Sequence, residues 1–285
     1  LIEWTRICVE LQGLEVWGGD TDSVFVHTPR DTCETPAEFH KFWDVLAQGL
    51  TKTYGHPALN LEYEKMYYGK PGCISWVLVA KKRYAGYKWD AWVNAAKAKV
   101  VYTGLECKRR DFCAHLQTTM VELLQNLFTV GVDDAFARLF DKIKFIFEHH
   151  SEQTSGFVLS KQYFKKAEAY ANPLAMPHVQ IAERTKANVG SRIHYLIQEH
   201  AVGHRASSLS DRAVSVSEFE VRGATIDITF YFTKQFEKPL RRITDVVHRV
   251  NSDRLWVELR KCIRTTGSKR KRIRDKQAFN KLFSL

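Results

Sequence analysis

The pentapeptide Gly19-Asp20-Thr21-Asp22-Ser23 constrains this chain more than any other segment. It separates two strand-like runs, Leu14–Trp17 and Val24–Val26, and Gly and Asp there favour a tight reversal. A hairpin is the predicted result. Side chains repeat every second residue in extended backbone, so Asp20 and Asp22 are expected to point to one side. Two carboxylates so arranged suit Mg²⁺, which is commonly held by one or two carboxylates together with substrate phosphates. Phosphoryl or nucleotidyl transfer is therefore the first chemistry to test.

The spacing alone leaves two other readings open. An Asp-x-Asp after a strand also serves sugar transfer, and Gly with Asp makes an ordinary solvated turn. Composition narrows the field. Of 285 residues 45% are hydrophobic, enough for a sizeable core and too many for global disorder. Lys and Arg number 43 against 32 Asp and Glu, a net charge of +11, which favours polyanionic partners, nucleic acid first and anionic membrane second. No apolar run approaches the ~18 residues of a membrane span, so no membrane partner is expected. The chain opens on Leu1 rather than Met, which points to a piece of a longer protein. Its six cysteines (8, 33, 73, 107, 113 and 262) include no Cys-x-x-Cys pair, so no zinc ribbon is expected; free thiols in a reducing compartment are.

Periodicity predicts an α+β organisation. Residues 2–12 read as the end of a helix, broken by Gly13. Thr35, Pro36 and Glu38 form a helix-start signature, followed by an apolar face of Phe39, Phe42, Trp43, Leu46, Ala47 and Leu50 that ends at Gly55. Alternation of Leu59, Leu61 and Tyr63 with Asn60, Glu62 and Glu64 predicts a strand, Gly69–Gly72 a turn, and Ile74–Ala80 an apolar strand. After Tyr102 the pattern turns helical. Asp111 and Asp133 are candidate caps for two helices separated by Gly131. A short helix near Val179–Arg184, a strand at Ile193–Ile197, a Ser- and Arg-rich loop at 203–217 and a helical region from Asp227 to Val250 follow.

Two basic stretches accompany the acidic pair. Lys81-Lys82-Arg83-Tyr84 joins three cations to an aromatic ring, a set suited to phosphate contacts with a ring near sugar or base. Gly104-Leu105-Glu106-Cys107-Lys108-Arg109-Arg110-Asp111 offers a bend followed by a basic triplet. Taken singly, each is equally a charged exposed turn. In order, Gly-Asp-Thr-Asp-Ser, Leu-Glu-Tyr-Glu-Lys, Lys-Lys-Arg-Tyr-Ala-Gly and Gly-Leu-Glu-x-x-Arg-Arg-Asp closely resemble the family B DNA polymerases. The likeness continues through Pro177–Ala182, Gly190–Tyr195 and Ile226–Leu240, and covers nearly the whole chain to about residue 245.

That resemblance implies an antiparallel sheet with packed helices, the C-terminal part of a palm, over 1–105. It implies a mainly helical thumb over 106–262 and a basic tail over 263–285. It implies a two-metal Mg²⁺ site in which Asp22 is the principal ligand and Asp20 its partner, with Glu64 a carboxylate near the metals. Lys81, Lys82, Arg83 and Tyr84, then Arg109, Arg110 and Asp111, fall where the family meets primer-template DNA, and deoxynucleoside triphosphates are the implied substrates. The family's other metal aspartate and its nucleotide-binding fingers lie upstream of the matched motifs, so these residues alone are not expected to polymerise. The chain departs from the family pattern at Gly18, where a Tyr is usual, with Trp17 one residue earlier. This leaves a non-catalytic DNA-binding remnant as the alternative. With the unpaired cysteines, it suggests a divergent DNA-virus polymerase acting in the host nucleus. In the tail, Lys269–Arg274 fits nuclear import or DNA contact, and Phe279, Leu282 and Phe283 fit docking of a processivity factor or packing onto the thumb.

Overall fold

The computed structural model describes residues 2–20, 22–28, 36–56, 58, 60–89, 99–199 and 208–264. Helix α1 (Ile2–Leu11) stops at Gly13, whose φ of 78° suits a residue without a side chain. Strands β1 (Glu15–Asp20) and β2 (Ser23–His27) then pair antiparallel. The last pair is Asp20 with Ser23, so the chain reverses between these two residues, with Asp22 in the turn. The register steps from Val16–Val26 to Gly18–Phe25, which leaves Trp17 as the extra residue of a bulge. Helix α2 (Pro36–Tyr54) ends at Gly55, with φ of 70°. Of its expected apolar face, Phe39, Trp43, Leu46, Ala47 and Leu50 line a cavity of about 980 Å³ shared with Ile2, Val9 and Phe25, whereas Phe42 is exposed. The candidate cap Thr35 lies outside the described residues.

The second sheet is built around β5 (Arg83–Trp89). It pairs with β4 (Trp76–Ala80), with the short β3 (Met66–Tyr67) and with β6 (Lys99–Thr103), all antiparallel. Of the strand expected over 59–64, the described residues 60–64 form none: residues 60–65 are irregular and pairing begins only at Met66. The reason is local. The Leu61 amide donates to Thr51 Oγ1 of α2 at 2.8 Å instead of joining a ladder, and Asn60 and Glu62 bond to each other at 2.7 Å. The expected turn at 69–72 is present, with Cys73 N donating to Lys70 O at 2.9 Å and Gly72 at φ 78°. Pro at its second position and Gly at its third make it type II.

The remaining chain is mainly helical with one small sheet. α3 (Ala114–Thr129) buries Leu116, Met120, Leu123, Leu124 and Leu127, one face at helical spacing, against α4 (Val132–Glu148). Each such side chain contributes about 2 kcal/mol by burial, so this stripe outweighs the weak capping at its start. Neither expected cap is used. Cys113 precedes α3 and makes no side-chain cap; Asp111 lies two residues before that position and is bound to Arg109. Gly131, at φ 99°, precedes α4, and Asp133 sits in the first turn bonded to Asn251.

Strand β7 (Leu159–Gln162), which the sequence reading passed over, pairs with β8 (Arg192–Ile197), and β8 pairs with β9 (Ala213–Ser215). α5 (Pro177–Arg184) packs on this sheet. The loop expected at 203–217 holds only in part. Residues 203–207 lie outside the description, but 213–215 is strand β9 and Ser215 starts α6 (Val216–Arg222). Ser215 and Glu218 make a reciprocal capping box, a signature that the Ser and Arg content obscured.

Asp227 does start the last helical region, accepting from Phe230 N at 2.8 Å. That region runs through α7 (Ile228–Phe230), a seven-residue π-helical stretch (Tyr231–Glu237) and α8 (Lys238–Val247). It breaks at His248 and resumes as α9 over 249–264, beyond the expected end at Val250. Trp256, fully buried, donates to Thr244 Oγ1 at 3.0 Å and fixes α9 to α8. One hydrophobic core runs from Val77 and Ala85 through Leu105 and α3 to Ile263.

Candidate nucleic-acid interface and acidic turn

Asp22 lies exposed at the reversal between β1 and β2 and borders the cavity described above, together with Ser23, Glu62 and Glu64. Gly19 permits the tight crossing, since a Cβ there would meet the Ser23 carbonyl at 2.9 Å. The Asp20 backbone closes the ladder, and its side chain lies outside the description. Glu64 reaches the same cavity and is engaged by Lys65 Nζ at 2.7 Å. Asp22, Ser23 and Glu64 are hard oxygen donors of the kind Mg²⁺ takes. Among the described residues no group of three His, Cys, Asp or Glu converges as a metal cage.

Rings connect this turn to the second sheet. Trp17, 48% exposed at the bulge, stacks on His27 at 4.5 Å and lies 6.1 Å from Trp76. Phe25 stacks on Trp76 at 5.0 Å and meets Tyr84 edge-on at 5.4 Å. Tyr84, expected at the DNA, is 8% exposed and packs against these rings. Its role in this structure is to tie the acidic hairpin to the basic one.

Lys81 and Lys82 form the reversal between β4 and β5, both exposed, with Lys82 at φ 59°. The bend after β6 lies directly beneath it. A Cβ on Gly104 would meet the Lys82 carbonyl at 2.2 Å, so only glycine allows the approach, and its own φ is 63°. Arg83 turns inward: its Nε donates to Gly104 O at 3.2 Å and its Nη2 to Glu106 Oε1. Arg242 Nη1 of α8 donates to the same oxygen at 2.8 Å. Glu106 is 2% exposed, a buried carboxylate shared by two guanidinium groups. Arg83 is therefore spent on the fold. Glu106 was read only as part of a motif and Arg242 not at all, because a pairing across 136 residues leaves no local signal.

The triplet beyond the bend is exposed. Lys108 Nζ sits 5.2 Å over the Tyr102 ring. Arg109 forms a two-pronged pair with Asp111, at 2.8 and 3.1 Å, which raises its pKa further above the usual arginine range. Arg110 presents its side chain outward while its carbonyl accepts from Ser160 Oγ at 2.6 Å. Gly104 and Glu106 thus join two basic stretches more than twenty residues apart in sequence into one feature. The nearby thiols are not nucleophiles at neutral pH: burial pushes Cys107 up to about 11 and Cys113 up to about 12. Among the described residues no helix is long and apolar enough to cross a membrane.

Comparison with known proteins gives this arrangement a family. The chain is 31% identical over 242 residues to the DNA polymerase delta catalytic subunit of Oryza sativa, a match covering 82% of this chain and 20% of that protein. It is 30% identical over 264 residues to the Glycine max delta catalytic subunit, covering 87% and 23%. It is 26% identical to the human DNA polymerase zeta catalytic subunit, covering 82% and 7%. The chain therefore spans about a fifth of the delta relatives it matches. Among solved structures, the family B DNA polymerase of Pyrobaculum calidifontis superposes with a TM-score of 0.56 at 21% identity, over 86% of this chain and 28% of that one, a likeness of fold. The family model for DNA polymerase family B fits residues 5–247, from within α1 to the end of α8, so the chain belongs to DNA polymerase family B.

Proposed function

We propose that residues 1–105 are the C-terminal part of a polymerase palm and residues 106–262 its thumb, followed by a basic tail over 263–285, in a DNA-directed DNA polymerase. The observation that carries this reading is the convergence of Lys81–Lys82 and Lys108–Arg110 around buried Glu106, linked through Tyr84 and Phe25 to the acidic turn. Exposed cations there would grip the phosphate backbone of primer-template DNA without reading sequence, and the grip would weaken as salt rises. Asp22 and Asp20 would hold Mg²⁺, with Glu64 nearby. When bound, the metal supplies activation of the primer 3′-hydroxyl and charge neutralisation at the leaving pyrophosphate of the incoming deoxynucleoside triphosphate. Asp22 can serve because it is exposed at the reversal beside a cavity. Partly buried Arg83, paired with buried Glu106, holds the Lys81–Lys82 reversal in place.

The rest of the metal set and the nucleotide-binding part would come from residues outside this chain, so these residues alone would bind DNA without extending it. The delta and zeta relatives are eukaryotic, and the Lys269–Arg274 run supports a nuclear location. Phe279, Leu282 and Phe283 support docking of a processivity factor. The test is extension of a labelled primer by the longer protein carrying these residues, with Mg²⁺ and deoxynucleoside triphosphates. Extension is the expected result. Salt-sensitive duplex binding without extension would instead establish the non-catalytic remnant that Gly18 favours.

A further inference from the structure

Nothing in the fold requires glycine at position 18. Its φ lies outside the positive range that Gly13, Gly55 and Gly104 occupy, and among the described residues a Cβ there would meet no atom within 4 Å. Glycine inside a strand loses entropy on folding and leaves nothing to pack, so this position carries a cost without a backbone reason. Gly19 differs. Its Cβ would strike the Ser23 carbonyl at 2.9 Å and lie 3.6 Å from Ile2, so position 19 faces α1. Beyond the Trp17 bulge the ladder is regular, and alternation puts position 18 on the other side of β1. Gly18 is opposite Phe25 there, and directly opposed residues share a face. Phe25 stacks on Trp76 at 5.0 Å and meets Tyr84 edge-on at 5.4 Å, so this face looks toward β4, β5 and their Lys81–Lys82 reversal. Trp17 flanks the gap without filling it. Its ring lies flat on His27 at 4.5 Å, with an interplanar angle of 4°.

The gap lies between the two parts of the proposed site. A primer whose phosphates meet Lys81–Lys82, and whose 3′-hydroxyl meets a metal at Asp22, carries its terminal base pair across Gly18. We propose that Gly18 is a specificity-determining residue: by withholding a side chain it leaves room for a displaced or widened terminal pair, so mispaired primer ends are accepted for extension. A side chain at this position would reject such ends by steric clash while a regular pair still fits, since discrimination is gained by building an obstacle against the wrong partner. The inference rests on the reading that the acidic turn and the Lys81–Lys82 reversal serve one primer. It deepens that reading by naming the class of primer end the site takes.

The test is single-turnover incorporation of the next correct deoxynucleotide by the longer protein, on primers ending in a matched pair or in a mispair. Wild type, Gly18→Val and Gly18→Leu are compared by the ratio of matched to mispaired rate. That ratio is expected to rise at least about tenfold in Gly18→Leu and by a smaller factor in Gly18→Val, in step with the added volume. Urea unfolding of the full 285-residue chain runs alongside. Gly18→Val is expected to keep or raise the midpoint, since the open space and the ordinary φ both accept a β-branched residue. A lowered midpoint would show that the gap is not free and would overturn the inference. A ratio unchanged in both variants, whether the two rates hold or fall together, would also overturn it and leave the polymerase reading standing. A wild-type protein that extends neither primer would overturn both.

Discussion

Removal of the Glu106 carboxylate is the sharpest perturbation available away from the metal turn. In Glu106→Ala, Arg83 and Arg242 lose the oxygen they share and face each other across a cavity. Breaking a fully buried ion pair from one side costs about 3–5 kcal/mol. Here the arginine side chains are 26% and 38% exposed, so water recovers part of that penalty and about 2–3 kcal/mol is expected. For a protein of this size each kcal/mol moves Tm by roughly 2–4 °C, which gives a fall of roughly 5–10 °C. Arg242→Met leaves Arg83 on the carboxylate and should cost only about 1 kcal/mol. The double variant should fall short of the sum, because the two share one interaction. Urea unfolding followed by tryptophan fluorescence measures all three. The Lys81–Lys82 reversal loses its clamp in the same variant, so salt-sensitive duplex affinity should drop with it. A loss below about 0.5 kcal/mol for Glu106→Ala, or full additivity in the double variant, would refute the shared-carboxylate account.

Gly104→Ala puts a methyl group against the Lys82 carbonyl at a φ of 63° and should destabilise by at least about 1–3 kcal/mol in thermal unfolding, with a matching loss of duplex affinity. His178 is buried, and burial first, then Lys161, lowers its pKa to about 4, so the folded chain refuses a proton that the unfolded chain accepts near 6.5. Stability should accordingly be unaffected by this residue above pH 6.5 and decline as pH falls toward 4, by at most about 1.4 kcal/mol per unit. His178→Gln should flatten that limb in urea melts taken across this range. Asp227→Ala removes both the cap on Phe230 N and the partner of Arg212, and should lower stability by about 2–4 kcal/mol. Asp227→Asn should keep part of the cap and lose less.

Much of this fold was legible because it rests on local rules. The α2 and α3 stripes, the glycine stops at 13, 55 and 131, and the β1–β2 reversal follow from periodicity and backbone freedom within a few residues. What failed was decided at a distance. The alternation at 59–64 reads as strand, yet its backbone was claimed by Thr51 of α2. Asp111 reads as a cap, yet Arg109 took its carboxylate. Ser215 and Glu218 carried a capping box that composition masked. The candidate site divides in the same way. Its charged residues stood out as motifs, but the side each one faces did not. Arg83 and Tyr84, read as DNA contacts, point into the fold, because Glu106 and the Phe25–Trp76 rings lie behind them. The Trp17 bulge depends on cross-strand register, which a single strand's sequence does not encode.

The central claim is that the acidic turn does chemistry while the basic elements hold DNA. Single-turnover nucleotide incorporation by the longer protein, with duplex affinity measured in parallel, separates these roles. Asp22→Asn should lower the incorporation rate at least about 10³-fold, the equivalent of about 4 kcal/mol of transition-state stabilisation. Primer-template Kd should stay within about threefold of wild type, since Asp22 lies outside the basic stretches. Incorporation that survives Asp22→Asn at near wild-type rate would contradict the account.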